Sequence, residues 1–393
     1  MAISIFSVKL IPLIKENTYG DSIDITDFVI DNGIGSIKEQ IDSGEYDIGL
    51  YTYASISLKL ANFDGRFNSE AQSGTLFCYS RDRAKVEIIF INEKEDPEKI
   101  VFRGIINDEG TKQDFNESTI TIKVLSQDSI LRKTSVSGGL LDNGMTFSIA
   151  IKTLLNRPSI TNVLIYNDAK INVGLDLIID DVTAFNDKDS RVVLEELLNA
   201  SLSVFYVDDS NTMVVSSRTV TNIPPLDLFG GGDLLDRNNA IIINKYNDGL
   251  QRTFNTITIN TQTSIDQIFI DRYGTRIKQI DFDFITNLAT ASEIADFILI
   301  EFRNPKREME LTTTVDTIKD LRQLDPITVS WQKLYQKWEG INRIPVAGVA
   351  IAGEDLVPYS AGGITINENI IWKVTGITKN PNTFLTKIRL REV

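Results

Sequence analysis

Ala84-Lys-Val-Glu-Ile-Ile-Phe-Ile91, Ile100-Val-Phe-Arg-Gly-Ile-Ile106 and Ser118-Thr-Ile-Thr-Ile-Lys-Val124 are three strand-like runs in succession. The succession is written again near the other end of the chain, as Pro326-Ile-Thr-Val-Ser-Trp331, Ile370-Ile-Trp-Lys-Val-Thr-Gly-Ile377 and Thr383-Phe-Leu-Thr-Lys-Ile-Arg-Leu390. Each middle run carries an aromatic, Phe102 or Trp372, with a glycine of the same parity, Gly104 or Gly376. Each third run opens with alternating threonine and passes through a lysine, Lys123 or Lys387. Side chains on a strand alternate with period two, so this pattern places aromatic and glycine on one face of a half-buried strand. Two copies of one antiparallel meander predict two similar β-domains.

The flanking sequence extends the reading. Residues 2–16 alternate as a first strand, and Tyr46 to Leu60 alternates strongly, with Ala54, Ile56, Leu58 and Leu60 on one parity. Asp24-Ile-Thr-Asp-Phe-Val-Ile30 opens a further element, Asn62-Phe-Asp-Gly-Arg-Phe67 is a turn centred on Asp-Gly, and residues 92–99 form a solvated hairpin tip. The middle third changes character. Residues 146–155 have helical spacing at Phe147, Ile151, Leu154 and Leu155, with Pro158 as a stop. Residues 189–198 form a second amphipathic helix capped by Asp189 or Ser190. Runs 203–207 and 213–216 flank Asp208-Asp-Ser-Asn-Thr212 as a hairpin. Pro224-Pro225 and Gly230-Gly-Gly-Asp233 mark a connection. Beyond it, 253–259 and 277–284 read as strands, and 289–302 as a helix with Ile294, Phe297, Ile298 and Ile300 among its apolar positions, ended by Asn304-Pro305. The expected organisation is mainly β with an α+β insertion: two similar antiparallel barrel-like domains at 1–130 and 241–393, and a small α+β domain with linker at 131–240. The second β-domain is expected to contain the 289–302 helix and a loop insertion at 334–369.

Composition excludes several chemistries. The chain has 393 residues, one cysteine and no histidine. Imidazole bases, histidine triads and histidine metal sites are therefore ruled out. A single cysteine, Cys78, cannot close an internal disulfide, and the sequence is expected to fold in a reducing cytoplasm. No window holds the roughly 18 apolar residues of a membrane span, and Met1 to Leu10 alternates like a strand rather than a signal peptide. Net charge is −14. Residues 1–130 hold 13 Lys/Arg against 22 Asp/Glu, whereas 241–393 hold 18 of each. A nucleic-acid binder shows the opposite sign. The acidic excess serves solubility, or it lines a passage that must not hold DNA.

No catalytic, cofactor or metal residue is expected. Asp281 and Asp283 share one strand face, whereas a glycosidase needs two carboxylates facing each other about 5–9.5 Å apart. Asp208, Asp209 and Asn211 lack the ligand spacing of a calcium loop and fit a hairpin tip. Gly230-Gly-Gly-Asp233 and Ser137-Gly-Gly139 lack the Lys-Ser/Thr of a phosphate loop. Trp331 and Trp372 lie in strand runs and read as core, while Trp338 lies in a polar loop and reads as a contact residue. Cys78 reads as a buried small apolar side chain.

The N-terminal half resembles hub proteins of long-tailed bacteriophage baseplates and tail tips. The resemblance rests on Asp24-Ile-Thr-Asp-Phe28, the strand into Leu60-Ala-Asn-Phe-Asp-Gly-Arg-Phe67, Val101-Phe-Arg-Gly-Ile-Ile-Asn-Asp108 and Thr119-Ile-Thr-Ile-Lys-Val-Leu125. The C-terminal half resembles the same group through Arg272-Tyr-Gly-Thr-Arg276, a helix ending Arg303-Asn-Pro305, and Leu321-Arg-Gln-Leu-Asp-Pro-Ile-Thr-Val-Ser-Trp331. The resemblance implies a homotrimer with two tube domains per subunit. Such a trimer forms a pseudo-hexameric ring between a tail tube or distal tail protein and a three-fold spike or fibre, in a virion made in the host cytoplasm. DNA would pass without specific binding; many members also carry spike, peptidase or lysozyme-like modules, functions that are expected here to reside in other proteins. Two other readings compete: a hexameric distal tail ring, which needs only one meander per chain, and a virion carbohydrate-binding β-protein.

Overall fold

The computed structural model describes residues 5–15, 18–42, 50–68, 76–77, 80–92, 95–208, 210–217, 226–227, 242–247, 253–314, 326–328, 331–332, 343–344, 357–358, 365–366, 371–381 and 385–392. Cys78, Asp209, Trp338, Pro224-Pro225, Gly230–Asp233 and most of 334–369 lie outside them.

The N-terminal body contains β1 (Ile5–Lys15), β2 (Thr18–Tyr19), β3 (Ile23–Asp24), β4 (Val29–Ile34), β5 (Ile37–Asp42), β6 (Leu50–Ala61), β7 (Ser80–Asn92), β8 (Glu95–Asp114) and β9 (Thr119–Ser126). The first meander is present as read: β7 pairs β8 and β8 pairs β9, all antiparallel. β9 continues to β6, β6 to β5, and β1 covers the far side of β7. Alternation does the sorting. Ile56, Leu58 and Leu60 of β6 and Ile120, Ile122 and Val124 of β9 are buried in one core with Val8, Val86 and Ile88. The Asp-Gly turn is held by its own polar groups. Phe67 N–H donates to Asn62 Oδ1 at 3.0 Å, and Gly65 takes φ 74°. Phe67 is thereby turned into the core while Phe63 stays 81% exposed.

The middle body contains α1 (Phe147–Leu155), α2 (Pro158–Thr161), α3 (Ser190–Ala200), β10 (Ser203–Val207) and β11 (Met213–Ser217). Thr146 caps α1, and Phe147, Ile151, Leu154 and Leu155 are all buried. Pro158 does more than end α1: it opens α2 at a first-turn position, where its missing N–H has no partner to lose. Asp189 is the N-cap of α3 by position, while the Ser190 hydroxyl accepts from Arg157 at 2.9 Å.

The C-terminal part follows with β12 (Leu226–Asp227), β13 (Ile242–Asn247), β14 (Thr256–Ile259), β15 (Gln262–Ile265), α4 (Gln267–Tyr273), β16 (Ile277–Ile280), α5 (Leu288–Phe302), β17 (Glu308–Thr314) and β18 (Pro326–Thr328). Two short ladders then pair β19 (Trp331–Gln332) with β22 (Thr365–Ile366), and β20 (Arg343–Ile344) with β21 (Val357–Pro358). β23 (Ile371–Asn380) and β24 (Leu385–Glu392) end the described chain. The second meander is also present, with β18 paired to β23 and β23 to β24. Its aromatic takes the same rung as in the first copy: Ile327 faces Trp372 as Ile88 faces Phe102.

Three expectations need correction. The glycines are not equivalent: a bulge between Val374 and Gly376 shifts the strand, so Gly376 leaves the face that Trp372 and Val374 occupy. The run 277–284 is a strand only to Ile280, after which Phe282 and Phe284 turn into the core. Helix α5 does not pack within the second β-domain. Ile294, Ile298 and Phe302, with Ile257, Phe282 and Phe284, share one core with Phe147, Phe185, Leu194 and Leu197 of the middle body. Residues 254–302 therefore complete the α+β body, leaving the second β-unit to β12, β13, β17, β18, β23 and β24. Ile300 of α5 is 60% exposed, because one face of the helix suffices to cover a three-stranded sheet.

Candidate assembly interface

The two meanders belong to one sheet. β5 of the first unit pairs antiparallel with β23 of the second, in the register Ile37–Lys379, Lys38–Thr378, Glu39–Ile377 and Gln40–Gly376. The ladder then reads β8, β9, β6, β5, β23, β24, β17, β13, four strands from each unit. Ile37 and Ile377 are buried at the seam. The linker from α5 into β17 is fastened at the same sheet. Arg307 grips Glu392 with two side-chain hydrogen bonds of 2.8 and 2.7 Å, which hold the Glu392 carboxyl below its ordinary pKa.

One face of this composite sheet is covered and the other is largely open. Leu58, Ile122, Trp372, Ile388 and Leu311 lie on the covered face, and all are buried. The open face carries lysines. Lys123 lies opposite Ser57, Lys387 opposite Thr312, Lys38 opposite Ser55 and Lys245 opposite Glu310, and all four lysines are exposed. Lys59, Lys85, Arg103 and Arg389 share that face. Its described carboxylates include Glu87, paired to Arg103 at 3.0 Å, and Glu310, 3.6 Å from Arg389. On this face the N-terminal unit presents exposed Lys38 and Lys123, although residues 1–130 as a whole are acidic. Turns hold part of the acidic excess instead, as at Asp64, which Arg66 grips and holds down to about 2.

The sequence did not single out Lys38 or Lys245, because β5 and β13 are short and Lys38-Glu-Gln40 and Lys245-Tyr-Asn247 have no apolar alternation. The shared Lys-x-amide spelling was the available signal.

The other candidates disperse. Asp281 and Asp283 are exposed after β16, on a turn and not across a cleft. Asp208 Oδ1 accepts from the N–H groups of Ser210 and Thr212, at 2.9 and 3.0 Å, so this carboxylate organises the β10–β11 turn. Ser137-Gly-Gly139 lies in a loop before α1, with Gly139 at φ 84°. Trp372 is fully buried. The side chain of Trp331 is outside the described residues, as are Trp338, Cys78 and Gly230–Asp233. Among the described residues no helix is long and apolar enough to cross a membrane.

No family model matches the sequence, and no curated protein matches it. Solved structures match the fold. A tail protein from Neisseria meningitidis MC58 superposes over 99% of this chain and 96% of its own, with TM-score 0.55 and 13% identity. The 43 kDa tail protein of prophage MuSo2 from Shewanella oneidensis gives TM-score 0.52 and 14% identity over 98% of this chain and 97% of its own. A chain of the Francisella PdpA-VgrG complex gives TM-score 0.51 and 9% identity, over 99% of this chain and 53% of that longer one. The fold is the mainly β tail-protein fold that the sequence resemblance implied.

Proposed function

We propose that this chain is the structural hub of a phage-type tail tip or baseplate, acting as a trimer. Each subunit contributes two tube units, and six units make a ring that matches a six-fold tail tube on one side. A three-fold spike or fibre docks on the other. The observation that carries this reading is the β5–β23 seam, which joins two copies of one meander edge to edge inside a single chain. A three-fold body contacts a six-fold one equivalently only if each subunit supplies two similar surfaces.

The ring has a channel under this reading. The covered face of the sheet bears the additional layers, which need the longer outer circumference, so the open face turns inward. Eight strands from each of three chains make a barrel of about twenty-four. At about 4.8 Å per strand and a tilt of about 40°, its backbone diameter is about 48 Å, enough for a duplex. Lysine contacts there are to phosphate and carry no sequence information, so DNA passes without specific binding. The hub has a structural role and no catalysis of its own. Native mass spectrometry or mass photometry tests the assembly. A species of three times the 44.0 kDa chain mass is expected. Six copies would favour the distal tail ring, and a monomer at all concentrations would remove the hub reading.

A further inference from the structure

The internal seam specifies the contact between subunits. Aligning the two units on Lys123 and Lys387 puts Ser57 on Thr312, because these face the two lysines across the ladders. On the other side of the same rungs, Asn107 falls on Thr378 and Ile106 on Ile377. One strand further out, Lys38, opposite Ser55, falls on Lys245, opposite Glu310. Gln40, opposite Tyr53, falls on Asn247, opposite Glu308. Strand β13 is therefore the counterpart of β5, and the stretch of β8 around Asn107 is the counterpart of the part of β23 that receives β5. Among the described residues both counterparts lack the corresponding neighbouring strand. Among the described residues β13 pairs only with β17, and the β8–β7 ladder runs only as far as Ile105; beyond it β8 meets β7 through Asp108 alone, whose N–H donates to Asp82 Oδ1 at 3.5 Å and whose carboxylate accepts from Arg81 at 2.6 Å.

We propose that β13 of one subunit adds antiparallel to β8 of the next, with Lys245 opposite Asn107 of the partner subunit and Tyr246 opposite Ile106 of the partner subunit. This deepens the trimeric-ring reading and rests on it. The strand directions agree: β5 and β13 each run antiparallel to their inner neighbours, β6 and β17, so the orientation that suits the internal seam suits the external one. The occupant is a second copy of this chain, because the edge that β13 needs is the repeat counterpart of an edge already used internally. Three repetitions close the sheet and leave neither edge available for uncontrolled pairing. The β8 side is short. Beyond Asn107 the ladder resumes only at Lys112, and Gly110 folds against the Lys123 side chain, so a Cβ there would come 2.4 Å from its Cδ. The contact is therefore centred on Ile106 and Asn107, between the end of the β7 ladder at Ile105 and the Asp108 contacts to β7.

The test is disulfide trapping in a chain carrying Cys78→Ser. Antiparallel partners have Cα atoms about 4.5–5.5 Å apart, within the range a disulfide spans. Lys245→Cys combined with Asn107→Cys should give covalent dimers and closed trimers on non-reducing gels. Either single variant should run as a monomer, and the off-rung pair Lys245→Cys with Lys112→Cys should link poorly. Tyr246→Pro removes a strand N–H and should release folded monomers, checked by circular dichroism and mass photometry. Trimers of the parent chain with no link at the 245–107 pair, or with equal linking off the rung, would overturn the seam and leave the trimer standing. A parent chain that is monomeric and unlinked would overturn both.

Discussion

Gly104 has no room for a side chain. A Cβ there would sit 2.4 Å from Leu125 O, 2.7 Å from Val124 Cγ1 and 2.8 Å from Phe102 Cε1. The first of these is backbone in the adjoining strand and cannot swing aside. Gly104→Ala should therefore cost about 1–3 kcal/mol in urea unfolding, as overpacking does; an unchanged midpoint would show that the strands can part. The counterpart aromatic gives a second measurement. Trp372 is fully buried, and its indole N–H has no acceptor among the described residues. Trp372→Phe keeps an aromatic ring and removes an unsatisfied donor, so it should cost less than about 1.5 kcal/mol, against about 3–5 for Trp372→Ala. A loss for Trp372→Phe well above about 1.5 kcal/mol would mean that the N–H is satisfied. The sequence pointed to both positions, but it could not show that a bulge separates Trp372 from Gly376. Bulges arise where ladders compete, and here β23 passes from β18 to β5 within a few residues.

At the scale of elements, what was legible followed local rules. Alternation marked β6, β7, β9, β23 and β24, and 3.6-residue spacing with Pro158 as a stop marked α1. What stayed hidden was long-range. The pairing of β5 with β23 joins residues at opposite ends of the sequence, such as Ile37 and Lys379, and nothing local encodes it. The ownership of α5 was equally non-local. Phe284 packs against Phe185 with centroids 4.9 Å apart, and Asp180 accepts from the N–H groups of Thr286 and Asn287 at the start of α5, both at 2.9 Å. The helix looked like part of the second β-unit only because it is near it in sequence. A fragment of residues 128–217 should therefore show no cooperative thermal transition, while co-expression with residues 253–305 should restore one. A stable, cooperatively melting 128–217 fragment would mean that the shared core is dispensable.

At the scale of the whole molecule, the charge inventory sets the response to pH. No histidine is present, so no unperturbed side chain titrates between about pH 5.5 and 7.5. The carboxyls that shift do so downward. Asp24 is lowered by hydrogen bonds from Thr26, Asp64 to about 2 by Arg66, Asp168 by Lys152 and Tyr166, Asp181 by Thr183 and Glu392 by Arg307. A depressed folded value means that the stabilisation is complete above the unfolded value, near 4, and disappears as pH falls through the folded one. The melting temperature should be level from pH 5.5 to 7.5 and fall below about pH 4; a drop between pH 7 and 5.5 would contradict this. The composite sheet also has a mechanical consequence. Its hydrogen bonds run perpendicular to its strands. A pull along the strands loads every bond of the β5–β23 seam at once, in shear, whereas a pull across one end opens them singly. The two halves of the chain are thus fastened most strongly against sliding past each other along the strands, and least strongly against being peeled apart from one end.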